Sequence, residues 1–78
     1  MPKEINAGYT IVRRQRVGAV EIVLAHNSKA PEPYVTWKRR NGSDYYHGHY
    51  FVDEGRAVMD FSKRIHNERM YALSLIHI

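Results

Sequence analysis

The stretch Tyr34 to Phe51, YVTWKRRNGSDYYHGHYF, constrains the fold most, because two aromatic-rich runs flank Asn41-Gly42. Both central residues of a type I′ turn need positive φ, which Asn and Gly tolerate, so Asn-Gly between such runs is a strong hairpin signal. Pairing across the turn sets Trp37 against Tyr46 and Val35 against Gly48. Because side chains alternate with period two, opening the loop by two residues leaves the faces unchanged. One face is then Val35, Trp37, Tyr46, Gly48 and Tyr50. The other carries Tyr34, Thr36, Lys38, Tyr45, His47, His49 and Phe51, too polar for a core and too aromatic for an idle surface. That second face is the expected binding surface.

The chain before the hairpin supplies two more strands. Tyr9 to Arg14, YTIVRR, is β-branched and aromatic before it turns basic. Gln15-Arg16-Val17-Gly18 is the expected turn, with Gly18 free to adopt positive φ. In the next strand, Ala19 to His26, Val20, Ile22 and Leu24 share one face while Glu21, Val23 and Ala25 share the other, so the strand reads as central and buried. Pro31 and Pro33 end it and hold an extended, mobile linker. Residues 1–8 show no periodicity and are expected to be a flexible leader.

After the hairpin, Asp53 is placed to cap a helix, with Val52 stapling onto Ala57. Ala57, Val58, Phe61 and Ile65 recur at helical spacing, with Asp60 and Arg64 pairing on the flank. The helix is expected to end between Asn67 and Tyr71. The resulting expectation is a single α+β domain over residues 9–71: an antiparallel meander of three to four strands with one C-terminal helix packed on one face. That helix would cover Trp37, Tyr46 and Tyr50.

Composition sets outer limits. A chain of 78 residues buries only about 60% of its unfolded surface, so a second copy would add stability and a homodimer is one expected partner. No apolar run is long enough to cross a bilayer and no signal-peptide pattern is seen, so a membrane partner is not expected and a cytoplasmic location is. The absence of cysteine removes disulfides and thiolate metal sites. Lys+Arg 12 against Asp+Glu 8 gives a net charge of +4, which favours anionic partners.

Three kinds of chemistry fit the hairpin. His47-Gly48-His49 puts two imidazoles on one side of a strand, a chelating spacing without an obvious third ligand, so no metal or other cofactor is expected. His47 or His49 beside Lys38 or Arg40 supplies the groups of a metal-independent ribonuclease, but the pattern is unspecific and no catalytic residue is assigned. The reading preferred here is basic and aromatic interleaving. Lys38, Arg39 and Arg40 hold phosphates, Tyr34, Tyr45, His47 and His49 meet bases or sugar, and Arg13, Arg14 and Arg16 add a second basic tip. Nucleic acid is the leading ligand and a nucleotide the variant of it.

Trp37, the hairpin, Gly48-His49-Tyr50-Phe51, an acidic turn and then Ala57 and Phe61 on a helix resemble the three-stranded sheet plus helix of ethylene-response-factor DNA-binding domains and of integrase arm-binding domains. That resemblance covers Tyr34 to about Asn67 and implies groove contacts from Lys38, Arg40, Tyr45 and His47. More loosely, the chain is similar to small proteins of phages and mobile elements. This implies an anti-defence role, either as an anti-CRISPR-like blocker of a protein nuclease or as a sponge for nucleotide signals. Finally, Leu73 to Ile78, LSLIHI, resembles a translated sequencing adapter, which implies a metagenomic source and a non-native tail over 72–78.

Overall fold

The computed structural model describes residues 3–76. Strands β1 (Ile5–Asn6), β2 (Tyr9–Val17), β3 (Val20–His26), β4 (Tyr34–Arg40) and β5 (Tyr46–Phe51) precede one helix, α1 (Glu54–Ile76). All neighbouring strands pair antiparallel in the order β1-β2-β3-β4-β5, so the chain is α+β. The sheet has five strands rather than three to four. The additional one, Ile5–Asn6, falls within the expected leader and is too short to show a period.

Turn chemistry governs the hairpins. Asn41 and Gly42 both have positive φ (50° and 74°), and the Ser43 N–H donates to the Arg40 carbonyl at 3.0 Å, closing the turn. The β2–β3 turn is tighter than expected: Val17 pairs with Val20, leaving only Gly18 and Ala19 in the loop, with Gly18 at φ 61°. The proline linker is tied down. Asn27 donates its N–H to the Pro33 carbonyl at 2.8 Å, and the Tyr9 hydroxyl donates to the Glu32 carbonyl at 2.8 Å.

The largest departure from expectation is the side on which the helix packs. Ala57 and Phe61 pack with Val20, Ile22 and Leu24, flanked by Tyr34, Phe51, Val58 and Ile65. Leu24 pairs with Thr36 and Ile22 with Lys38, so the helix covers the face of Thr36 and Lys38, not that of Trp37. The physical reason lies in β3, which is apolar on both sides and offered the helix two equivalent platforms. On the opposite side, Tyr9, Ile11, Val23, Ala25, Val35 and Trp37 form a second core without a helix. There the sheet curls on itself. Tyr9 and Trp37 meet edge to face with centroids 5.6 Å apart although β3 lies between their strands, whereas a flat sheet separates such strands by about 9–10 Å.

Register in the β4–β5 hairpin is irregular. Lys38 pairs with Tyr46 and Thr36 with His49, so His47 and Gly48 together face the single residue Trp37. This bulge, with His47 at φ 52°, puts Tyr46 opposite Lys38 instead of Trp37, while Tyr45 stacks on Trp37 at 5.5 Å and 24°.

Helix α1 starts as expected, with the Asp53 carboxylate accepting the Arg56 N–H at 2.9 Å. Val52 makes no staple, being 70% exposed. The helix runs on to Ile76 instead of stopping by Tyr71, because no Gly or Pro interrupts residues 56–76. It therefore extends into the segment read as a non-native tail, whose residues 77–78 lie outside the described residues.

Candidate functional site

The expected site residues separate into three environments. The first is an ion-pair lattice on the curled face. Arg14 reaches Glu4 at 2.8 Å and Glu21 at 3.1 Å, while Arg39 reaches Glu21 at 2.8 Å and Glu4 at 3.4 Å. The Tyr45 hydroxyl donates to Glu4 at 2.9 Å, and the Arg39 guanidinium lies 4.8 Å from the Tyr45 ring centroid. The Arg14 hydrogen bond holds the Glu4 carboxyl below its usual range, and the same contact raises Arg14. Burial, then the bond to Glu4, pushes the Tyr45 phenol up to about 12. Arg14, Arg39 and Tyr45 thus close the open side of the sheet.

The second environment lies beneath the helix. Lys38 Nζ contacts Glu68 at 2.7 Å, and His49 Nδ1 contacts Asp60 at 3.0 Å. The Thr36 hydroxyl donates to the same Asp60 carboxylate at 2.6 Å. Arg64 is buried and approaches Asp60 at 3.5 Å, as its i, i+4 spacing suggested, but it points inward rather than along the flank. It donates to the carbonyls of Thr36 and of His47 in the bulge. Burial lowers its pKa, with Asp60 opposing that effect. Tyr34 is half-buried and packs its ring on His26 at 4.8 Å.

These placements correct the expected binding face. Tyr34, Thr36, Lys38, His49 and Phe51 lie on the helix side, while Tyr45 lies with Trp37. The bulge breaks the alternation that would have aligned His47 with His49; the His47 ring instead packs edge-on against Tyr46 at 4.8 Å. Lys38, Arg40, Tyr45 and His47 therefore do not form one groove-reading face. Lys38, one of the two cations set beside His47 or His49 in the ribonuclease reading, is engaged by Glu68.

The third environment remains open. Arg13, Arg16 and Arg40 are exposed and form no ion pair among the described residues. The two hairpin tips that carry Arg16 and Arg40 are joined by the Asn41 N–H donating to the Ala19 carbonyl at 2.9 Å; by register Arg16 shares the curled face with Glu21 and Arg39, and Arg40 the helix side with Val20. An up-and-down meander puts alternate turns at one end, so this meeting was implicit in the sequence. What sequence reasoning missed was the partnership of the acids. Glu4, Glu21, Asp60 and Glu68, half of the chain's 8 acids, sit in the ion pairs above with Arg14, Arg39, Arg64 and Lys38, so the net charge of +4 is carried by the remaining side chains. The only signal was that the acids in so small a domain needed partners.

No family model matches the chain, and no curated protein and no solved structure matches it either.

Proposed function

We propose that the chain is a small non-catalytic binding protein that holds an anionic ligand, nucleic acid in the first place, along the exposed edge of β2 and across the joined hairpin tips. The observation that carries this reading is that Arg16 and Arg40 stand at the same end of the sheet, one on each face, without acid partners among the described residues. Guanidiniums in that state are already free of local competition and can release phosphate counterions on binding. Arg13 extends the same basic margin along β2. Arg14 and Arg39 share the curled face with Arg16, but their own charges are occupied by Glu4 and Glu21.

Fluorescence anisotropy with labelled single-stranded RNA and duplex DNA tests the reading. Arg16→Glu combined with Arg40→Glu is expected to abolish binding at moderate salt while leaving the far-UV spectrum unchanged. Retention of binding by that double variant overturns the proposed site.

A second reading, an anti-defence inhibitor seated on a protein nuclease, draws on a different observation. Met70, Tyr71 and Leu73 are each at least half exposed near the C-terminal end of α1, and Tyr71 borders the β2–β3 turn beside Arg40. An apolar rim next to an open arginine suits a partner whose own surface binds nucleic acid. Salt separates the two: backbone-dominated nucleic-acid binding weakens steeply as salt rises, whereas an interface anchored by those apolar side chains weakens little.

A further inference from the structure

A cavity of about 390 Å³ lies between the sheet and the first turns of α1, lined by Val12, Arg13, His26, Tyr34, Glu54 and Val58 among others. Its volume is that of a site for a small organic ligand. The composition is mixed in a specific way. Val12 and Val58 are apolar walls, Tyr34 is a ring backed by His26 with centroids 4.8 Å apart, and Arg13 and Glu54 supply opposite charges.

Arg13 reaches this side only because of an irregularity in β2. Ile11 pairs with Ala25, yet Arg13 pairs with Leu24, so Val12 is an extra residue bulged out of the ladder. In a regular ladder Val12 would face Leu24, and Arg13 would face Val23 on the curled side. The bulge moves the guanidinium to the helix side and leaves Val12 43% exposed at the cavity edge. Bulges that re-aim one side chain occur often beside binding sites. Arg13 and Glu54 form no ion pair with each other among the described residues, so each retains its capacity for a ligand.

We infer that this cavity takes a single nucleoside phosphate, with its base against Tyr34 and its phosphate on Arg13. The inference deepens the anionic-ligand reading and rests on it. An aromatic ring and an aliphatic wall accept any base face, and a guanidinium accepts phosphate in a bidentate fork. Glu54 adds selectivity, because a carboxylate accepts two hydrogen bonds and matches a base edge with two adjacent N–H donors, as guanine presents. Adenine offers one donor beside an acceptor and fits less well.

The test is a titration of the full chain with GMP, AMP, guanosine and inorganic phosphate, followed by NMR at the His26, Tyr34 and Val58 side chains. GMP is expected to shift these three and to bind more tightly than AMP or guanosine. Arg13→Ala is expected to weaken GMP about tenfold or more while leaving guanosine unchanged. Glu54→Gln, an exposed change at the helix start, is expected to narrow the GMP to AMP ratio. Absence of shifts at the three side chains with millimolar GMP, or indifference of GMP to Arg13→Ala, overturns the inference. If the wild type still binds RNA in that case, the pocket fails and the basic-tip reading stands; if Arg16→Glu with Arg40→Glu keeps both RNA and GMP, the basic-tip reading fails and the pocket stands alone. Displacement of GMP by single-stranded RNA identifies a base of the polymer as the natural occupant, and lack of displacement identifies the free nucleotide.

Discussion

The two faces of the sheet are closed by different means. Beneath α1 the closure is a conventional one: an apolar helical stripe meets Val20, Ile22 and Leu24, and Thr36, Lys38 and His49 each face a carboxylate on the helix. On the other face no element covers the core. Trp37 is nevertheless only 4% exposed, because Tyr9, Tyr45 and Tyr50 gather around it and Glu4 bridges arginines from β2 and β4. The first closure depends on burial along a periodic stripe. The second depends on curl, on one bulge and on charge. Since both remove cations from solution, the comparison also isolates the arginines that neither face uses.

Large-to-small changes break the comparison most forcefully. Phe61→Ala opens the helix face and Trp37→Ala the curled face, and each is expected to cost about 3–5 kcal/mol in urea denaturation. If Trp37→Ala costs far less than Phe61→Ala, the curled side is a shielded surface and not a second core.

Gly48 sharpens the same contrast at smaller scale. A Cβ at this position would lie 2.8 Å from Trp37 Nε1 and 2.9 Å from Tyr50 Cε1. Gly48→Ala is therefore expected to lose about 1–3 kcal/mol and to alter tryptophan fluorescence, leaving helix content intact. Near-neutral behaviour would mean that the rings on the curled side have room to part.

Much of the helix face was legible in advance. The alternation of Val20, Ile22 and Leu24 against Val23 and Ala25, the Asn41-Gly42 turn, the Asp53 cap and the stripe of Ala57, Phe61 and Ile65 all have fixed periods or fixed chemistry. The curled face was not legible for the same reason. With β3 apolar on both sides, period alone did not say which side the helix would take. The bulges at Val12 and at His47-Gly48 shift register without a sequence signature, and Glu4 acts through contacts 10 and 35 residues away. The single expected face did not assemble, because Tyr34, Lys38 and His49 lie on the helix side and Tyr45 beside Trp37, whereas the exposure of Arg13, Arg16 and Arg40 did not depend on that side choice.

Titration separates the faces more gently. The depressed Glu4 pKa means that its stabilisation is present above its ordinary value of 4.5 and is lost as pH falls through the lower folded value. Tyr45 works in the opposite direction: its contribution is present below its ordinary value of 10.0 and is lost as pH rises toward about 12. Glu4→Gln is expected to flatten the acid limb of stability and to bring the Tyr45 phenol, followed by ultraviolet absorbance, part of the way back down. An unchanged Tyr45 titration would contradict the Glu4 contact.

Under the proposed function, the cations outside both closures, and not those within them, meet the anionic ligand. The slope of log affinity against log salt concentration for RNA tests it directly, in the wild type, in Arg16→Ala with Arg40→Ala, and in Lys38→Met. Removing Arg16 and Arg40 is expected to reduce the slope by roughly 1.4–1.8 units, at about 0.7–0.9 per phosphate contact, whereas removing Lys38, held by Glu68 at 2.7 Å, leaves it unchanged. An unchanged slope in the arginine variant, or an equal loss in Lys38→Met, would contradict the claim.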